Sequence, residues 1–223
     1  AVSLGITRTI PETPAIALGT VELSLYEMVS AYAMFANKGL RVEPMIITRI
    51  EDKNGTVLTQ FTPKTKEVLS EESAYVVLDL LKGVTTAGSG IRLRTTSERP
   101  GYVTGYPYGF NNPIAGKTGT TQNHTDGWFM GVVPNLATGV WTGGEDNAIH
   151  FEGIGKGQGA SMSLPTWAIF MRKCYEDLTL NISKEDFEKP ENPISIRLDC
   201  TDKDPLKEKE DEKPVIKKGD IDF

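Results

Sequence analysis

The sequence predicts an α+β protein, an α/β-class chain in which an antiparallel sheet is flanked by helices. Three observations carry that expectation. Capped helical segments occupy much of the first ninety residues, three short strands lie between residues 114 and 142, and an aromatic-rich helical segment follows them. The strands are joined by short turns, and short connections join antiparallel neighbours because parallel pairs need a long crossover.

Residues 1–20 hold Gly5, Pro11, Pro14 and Gly19 and read as a loop. Ser24-Leu25-Tyr26-Glu27 then fits a capping box, with Ser24 at the N-cap and Glu27 reaching back. Leu25, Met28, Val29, Tyr32 and Ala36 repeat at helical spacing, and Gly39 stands where a left-handed C-terminal residue belongs. Asn54-Gly55, between the runs 45–51 and 56–61, predicts a hairpin closed by a type I′ turn. A second helix is expected from an N-cap at Ser70, through Glu71 and Glu72 in the first turn, to Lys82 and Gly83 at the end. Its apolar face is Ala74, Val77, Leu78 and Leu81.

Residues 85–113 are loop-rich, with glycines at 88, 90, 101, 105 and 109. Strands are predicted at 114–121, 128–133 and 138–142, with turns at 123–127 and 134–136. After a glycine-rich stretch from Gly153 to Gly159, Ser163 is expected to cap a third helix bearing Trp167, Phe170, Met171, Cys174 and Tyr175.

With 223 residues, 39% hydrophobic and 24% charged, the chain can build one large or two small globular units. Its net charge of −6 argues against a nucleic-acid-binding surface, which needs clustered basic residues. No apolar run approaches the ~18 residues that span a bilayer. Ala1 is not a start methionine and no signal segment follows it, so the sequence reads as a piece of a longer protein. Cys174 and Cys200 read as two thiols rather than a disulfide. Residues 1–180 form the expected domain and 181–223 a charged, mobile tail: ten of the thirteen residues from Thr201 to Lys213 are charged, which leaves little apolar surface to offset ordering entropy.

The chemistry concentrates at Lys117-Thr118-Gly119-Thr120-Thr121. A strand's period of two puts Lys117 and Gly119 on one face and Thr118 and Thr120 on the other. A bulge or twist at the glycines is expected to bring them towards one cleft. Gly119 leaves room for a ligand backbone, while an ammonium and two hydroxyls suit a carboxylate. The tripeptide Lys-Thr-Gly by itself is equally an ordinary edge strand with a solubilising lysine. His124 and His150 stand alone, without partners at metal-ligand spacing, and read as surface histidines. Glu145-Asp146 reads as a solvated turn.

The neighbours of that tripeptide decide more. Ala115-Gly-Lys-Thr-Gly-Thr-Thr-Gln122, Asp126-Gly-Trp-Phe-Met-Gly-Val-Val-Pro134 and Gly139-Val-Trp141 closely resemble the penicillin-binding proteins, whose motif set is S-x-x-K, S-x-N and K-T-G. The segment from Ala17 to Gly39 and the glycine loop Ala87-Gly88-Ser89-Gly90 fit the same family, and the resemblance covers roughly residues 1–176. It is strongest to the transpeptidase domain of the bifunctional class A proteins. It implies a β-lactamase/transpeptidase-like fold, a five-stranded antiparallel sheet with helices on its faces, of which this chain holds three strands and the helix packed on them. It implies roles too. Lys117 would serve catalysis and draw in an anionic substrate. Thr118 and Thr120 would bind the carboxylate of a D-alanyl-D-alanine stem peptide or a β-lactam beside Gly119, with the Thr120 N–H as one oxyanion donor. Trp128 and Phe129 read as core packing.

One departure is decisive. No serine from Ser3 to Ser195 has lysine three residues on or asparagine two residues on. The nucleophile and its base are absent, and acylation needs that pair. The chain is therefore expected to be inactive alone and to partner the N-terminal remainder of its domain, at the extracytoplasmic face of a bacterial inner membrane, with no cofactor. A serine β-lactamase or D,D-carboxypeptidase would use the same motifs, and a non-catalytic β-lactam sensor is the alternative of another class. Half a sheet with an open edge is expected to associate.

Overall fold

The computed structural model describes residues 2–101 and 104–198. Helix α1 (Leu25–Ala36) starts on the expected capping box, with the Ser24 hydroxyl accepting from the Glu27 N–H and the Glu27 carboxylate accepting from the Ser24 N–H. Gly39 ends the helix region at φ 85, and Lys38 shares the left-handed conformation. Strand β1 (Leu40–Val42) follows and pairs antiparallel with β4 (Thr65–Glu67). Neither was legible in the sequence, because each is three residues long and almost wholly exposed, so no alternation marks it. Between them rises the hairpin of β2 (Arg49–Glu51) and β3 (Val57–Gln60).

That hairpin closes differently from the type I′ turn expected. Gly55 takes φ 84, but Asn54 is not among the residues with positive φ. The Asp52 carboxylate instead accepts the N–H groups of Asn54 and Thr56 at 2.8 and 2.9 Å, which holds a longer loop. The register shifts at Ile50/Glu51 to accommodate it.

Helix α2 (Glu71–Thr86) begins at Ser70 as expected, then runs past Gly83. It continues because its last turn is anchored: the buried Thr85 hydroxyl donates to Ile114 O at 2.6 Å. Ala74, Tyr75, Leu78 and Thr85 form its buried face, with Val77 and Leu81 half-buried.

The main sheet is three-stranded, in the order β5 (Ala115–Thr120), β6 (Asp126–Val133) and β7 (Leu136–Gly143), all antiparallel. Helix α4 (Gly159–Glu176) packs on one face; before it lies a single helical turn, α3 (Ile154–Gly157). The core is built where α4 meets the sheet, from Phe110, Ile114, Phe129, Val133, Leu164, Trp167 and Met171. Phe129 and Trp167 meet edge to face, 5.1 Å between centroids. Trp167 fits because Gly131 lies beneath it: a Cβ there would sit 2.2 Å from the indole ring. On the opposite face α1 meets β6 and β7, with Leu25 and Met130 crowding over Gly139.

Two expectations about α4 and its surroundings need correction. Ser163 does not cap α4, which starts four residues earlier and carries Pro165 inside. A hydroxyl followed closely by proline resembles a helix start, but here Ser163 is fully buried and donates to Gly127 O at 2.6 Å, serving the sheet. His124 is not a surface residue: it is half-buried, with its Cβ against Gly157, whereas His150 is exposed.

Residues 181–188, which sequence composition assigned to the tail, dock on the body. Phe187 is buried, Asn135 exchanges hydrogen bonds with Asn181 O and Ser183 N, and Lys82 and Lys38 pair with Asp186 and Glu188. Among the described residues, the compact unit extends to Pro193, and residues 194–198 lie outside it. The charged run 201–213 and Cys200 lie outside the described residues; Cys174 is buried and has no disulfide partner among the described residues.

Candidate functional site

Strand β5 is an edge strand: β6 lies on one side, and no strand among the described residues pairs with the other. Its register with β6 is regular from Ala115↔Val132 to Thr120↔Gly127, so the expected bulge is absent. Lys117 and Gly119 therefore share one face, and Thr118 and Thr120 the other. The two faces meet only at the strand's open edge.

Lys117 is exposed, and its Nζ donates to Thr118 O at 2.7 Å. An ammonium carries three donors, so two remain for other partners. Gly119 lies against Trp128, whose Cβ would stand 3.0 Å from any Cβ placed there. Each hydroxyl is held from behind. The Thr118 and Ser89 Oγ atoms are 2.6 Å apart, and Thr120 Oγ1 accepts from Gly159 N, the first residue of α4, at 3.1 Å. The partial positive charge of that helix end adds to the Lys117 ammonium.

Both ends of the strand are pinned. At its start Arg94 donates to Thr85 O, Phe110 O and Asn112 O, gathering the loop 85–113 around the end of α2. At its end Asp126 accepts from Trp141 Nε1 at 2.9 Å and from the hydroxyls of Thr121 and Thr125. That clamp supports a turn in which both Asn123 and His124 are left-handed, at φ 58 and 59.

Residues 11–144 match the family described as "Penicillin binding protein transpeptidase domain". The chain belongs to that family. Among its relatives are penicillin-binding protein 1A of Aquifex aeolicus, 33% identical over 84% of this chain and 23% of the relative, and penicillin-binding protein 2D of Bacillus subtilis, 33% identical over 87% and 26%. This chain thus spans about a quarter of the length of these relatives. The transpeptidase fold recurs in penicillin-binding protein 1A of Haemophilus influenzae (TM-score 0.65, 24% identity, 87% of this chain and 31% of that one). It recurs also in PonA1 of Mycobacterium tuberculosis in complex with penicillin V (TM-score 0.66, 22% identity, 87% and 52%).

Within this transpeptidase-family chain, all four residues singled out from sequence, Lys117, Thr118, Gly119 and Thr120, fall on β5. Trp128 and Phe129 divide by face: Phe129 is buried in the core, whereas Trp128 is half-buried opposite Gly119 and beside Trp141. Ser89, Arg94 and Gly159 escaped sequence reading, since their partners lie 29, 9 to 18 and 39 residues away. The only signal was the tight Gly-Ser-Gly step before the strand.

Proposed function

We propose that this chain forms the substrate-holding wall of a peptidoglycan D,D-transpeptidase, a serine acyltransferase that cross-links stem peptides and is acylated by β-lactams. The observation that carries this reading is the edge strand β5, where Lys117, Thr118 and Thr120 flank an open edge beside Gly119. A stem peptide ending in D-alanyl-D-alanine adds to that edge as a further strand. Its terminal carboxylate meets the Lys117 ammonium and the two hydroxyls in charge-assisted hydrogen bonds. The Thr120 N–H serves as one oxyanion donor as the scissile carbonyl becomes tetrahedral. A β-lactam presents a carboxylate in the same relation to its reactive carbonyl, and a protein of this fold was solved with penicillin V.

The attacking serine and its lysine base come from another segment of the same domain, because no serine here has lysine three residues on. That serine attacks the penultimate D-alanyl carbonyl, D-alanine leaves, and an amine of a neighbouring stem peptide takes the acyl group. The substrate places the reaction outside the cytoplasmic membrane; among the described residues no helix is long and apolar enough to cross it.

A fluorescent penicillin tests the reading. This chain alone should remain unlabelled, whereas a polypeptide joining it to the S-x-x-K part of the domain should be labelled covalently. Labelling of the chain alone would refute the missing-nucleophile account, and failure to label the joined polypeptide would refute the transpeptidase reading. In the joined polypeptide, Thr120→Ala should slow acylation by roughly ten- to a hundredfold, the loss of one hydrogen bond to a charged group.

A further inference from the structure

Ser89 lies in a step that fixes its backbone closely. Gly88 N donates to Gly83 O and Val84 O, Gly90 N donates to Val84 O at 2.9 Å, and Ile91 N closes the turn on Gly88 O. A Cβ at Gly88 would sit 2.9 Å from Val84 Cα, and one at Gly90 3.2 Å from Val84 O. The two glycines therefore let the turn fold onto the end of α2 and present the Ser89 hydroxyl to Thr118, 2.6 Å away, on the exposed side of the strand.

We propose that Ser89 is a positioning residue that donates its proton to Thr118 Oγ1 and so commits the Thr118 hydroxyl to donate to the ligand carboxylate. The inference rests on the reading of β5 as a carboxylate-binding strand. A threonine hydroxyl has one proton and two lone pairs. With Ser89 on one lone pair, the Thr118 proton is free to point along the edge, and the chain of two O–H groups strengthens the second bond. The device parallels Thr120, whose oxygen accepts from Gly159 N and whose proton is likewise released. Without the Ser89 hydroxyl, Thr118 keeps its place but loses the partner that orients it.

The test uses the joined polypeptide and compares acylation by penicillin V with acylation by its methyl ester, which lacks the anionic carboxylate. Ser89→Ala should slow penicillin V about tenfold, the worth of one oriented hydrogen bond, and leave the ester nearly unchanged. Ser89→Thr should retain the penicillin V rate. In a Thr118→Ala background, Ser89→Ala should add nothing, since the two hydroxyls act as one unit. Equal slowing of acid and ester would make Ser89 merely structural, and additive losses would make it an independent ligand contact; either overturns the proposal while sparing the functional reading. An unaltered polypeptide that penicillin V does not acylate would overturn both.

Discussion

Glu27 accepts four hydrogen bonds through its two carboxylate oxygens, from the N–H and hydroxyl of Thr7 and from the N–H and hydroxyl of Ser24. The Thr7 N–H, then the Ser24 N–H, followed by the two hydroxyls, hold its carboxyl down to about 2. A carboxylate whose folded pKa is depressed stabilises the fold above its ordinary pKa. That contribution is lost as pH falls from about 4.5 through about 2. Glu27→Gln should therefore lower Tm at neutral pH, and the difference from the unaltered chain should shrink as the solution is acidified across that window. A difference constant with pH would show that charge is not the source. The local half of this arrangement, Ser24 with Glu27, was readable from three-residue spacing. The Thr7 half was not, because nothing in a sequence marks a contact twenty residues away.

Among the elements, the seating of α4 on the sheet depends on glycines at both partners. A Cβ at Gly159 would lie 2.3 Å from Gly119 O and 2.4 Å from Trp128 O. Both neighbours are backbone atoms of paired strands, so neither can yield cheaply. Alanine gains about 1 kcal/mol over glycine within a helix, but overpacking against fixed atoms costs about 1–3 kcal/mol. Sterics win, and Gly159→Ala should lower the urea midpoint. Gly155→Ala, with nothing within 4 Å of its Cβ, should leave it within about 0.5 kcal/mol of the unaltered chain. Equal shifts would overturn the argument. The same contact explains the misread start of α4. Composition advertised Ser163 and Pro165, whereas the helix begins where Gly159 can touch both β5 and β6.

For the whole molecule, the open strand edges come with exposed apolar surface. Among the described residues both β5 and β7 are sheet edges. Trp141 is 43% exposed, and the β2–β3 hairpin region carries Ile46 at 93% and Leu58 at 63%. Monomers seldom leave such surface open without a partner. The isolated chain should elute in size exclusion as a concentration-dependent mixture of sizes, and adding the S-x-x-K portion of the domain should shift it to one defined complex. A monodisperse monomer across a tenfold dilution series would sink this expectation.

The amino-acid order by itself determined the capped starts of α1 and α2, the three strands of the main sheet and the K-T-G strand with its family. Each of these is written within a few neighbouring residues as a cap, a period or a motif. Only the tertiary structure decided that the strand is regular rather than bulged, that Ser89 and Gly159 stand behind its hydroxyls, and that residues 181–188 close onto the body. Those features arise from contacts between distant segments, where the space left by a glycine or the reach of one hydroxyl exists only after the chain has packed.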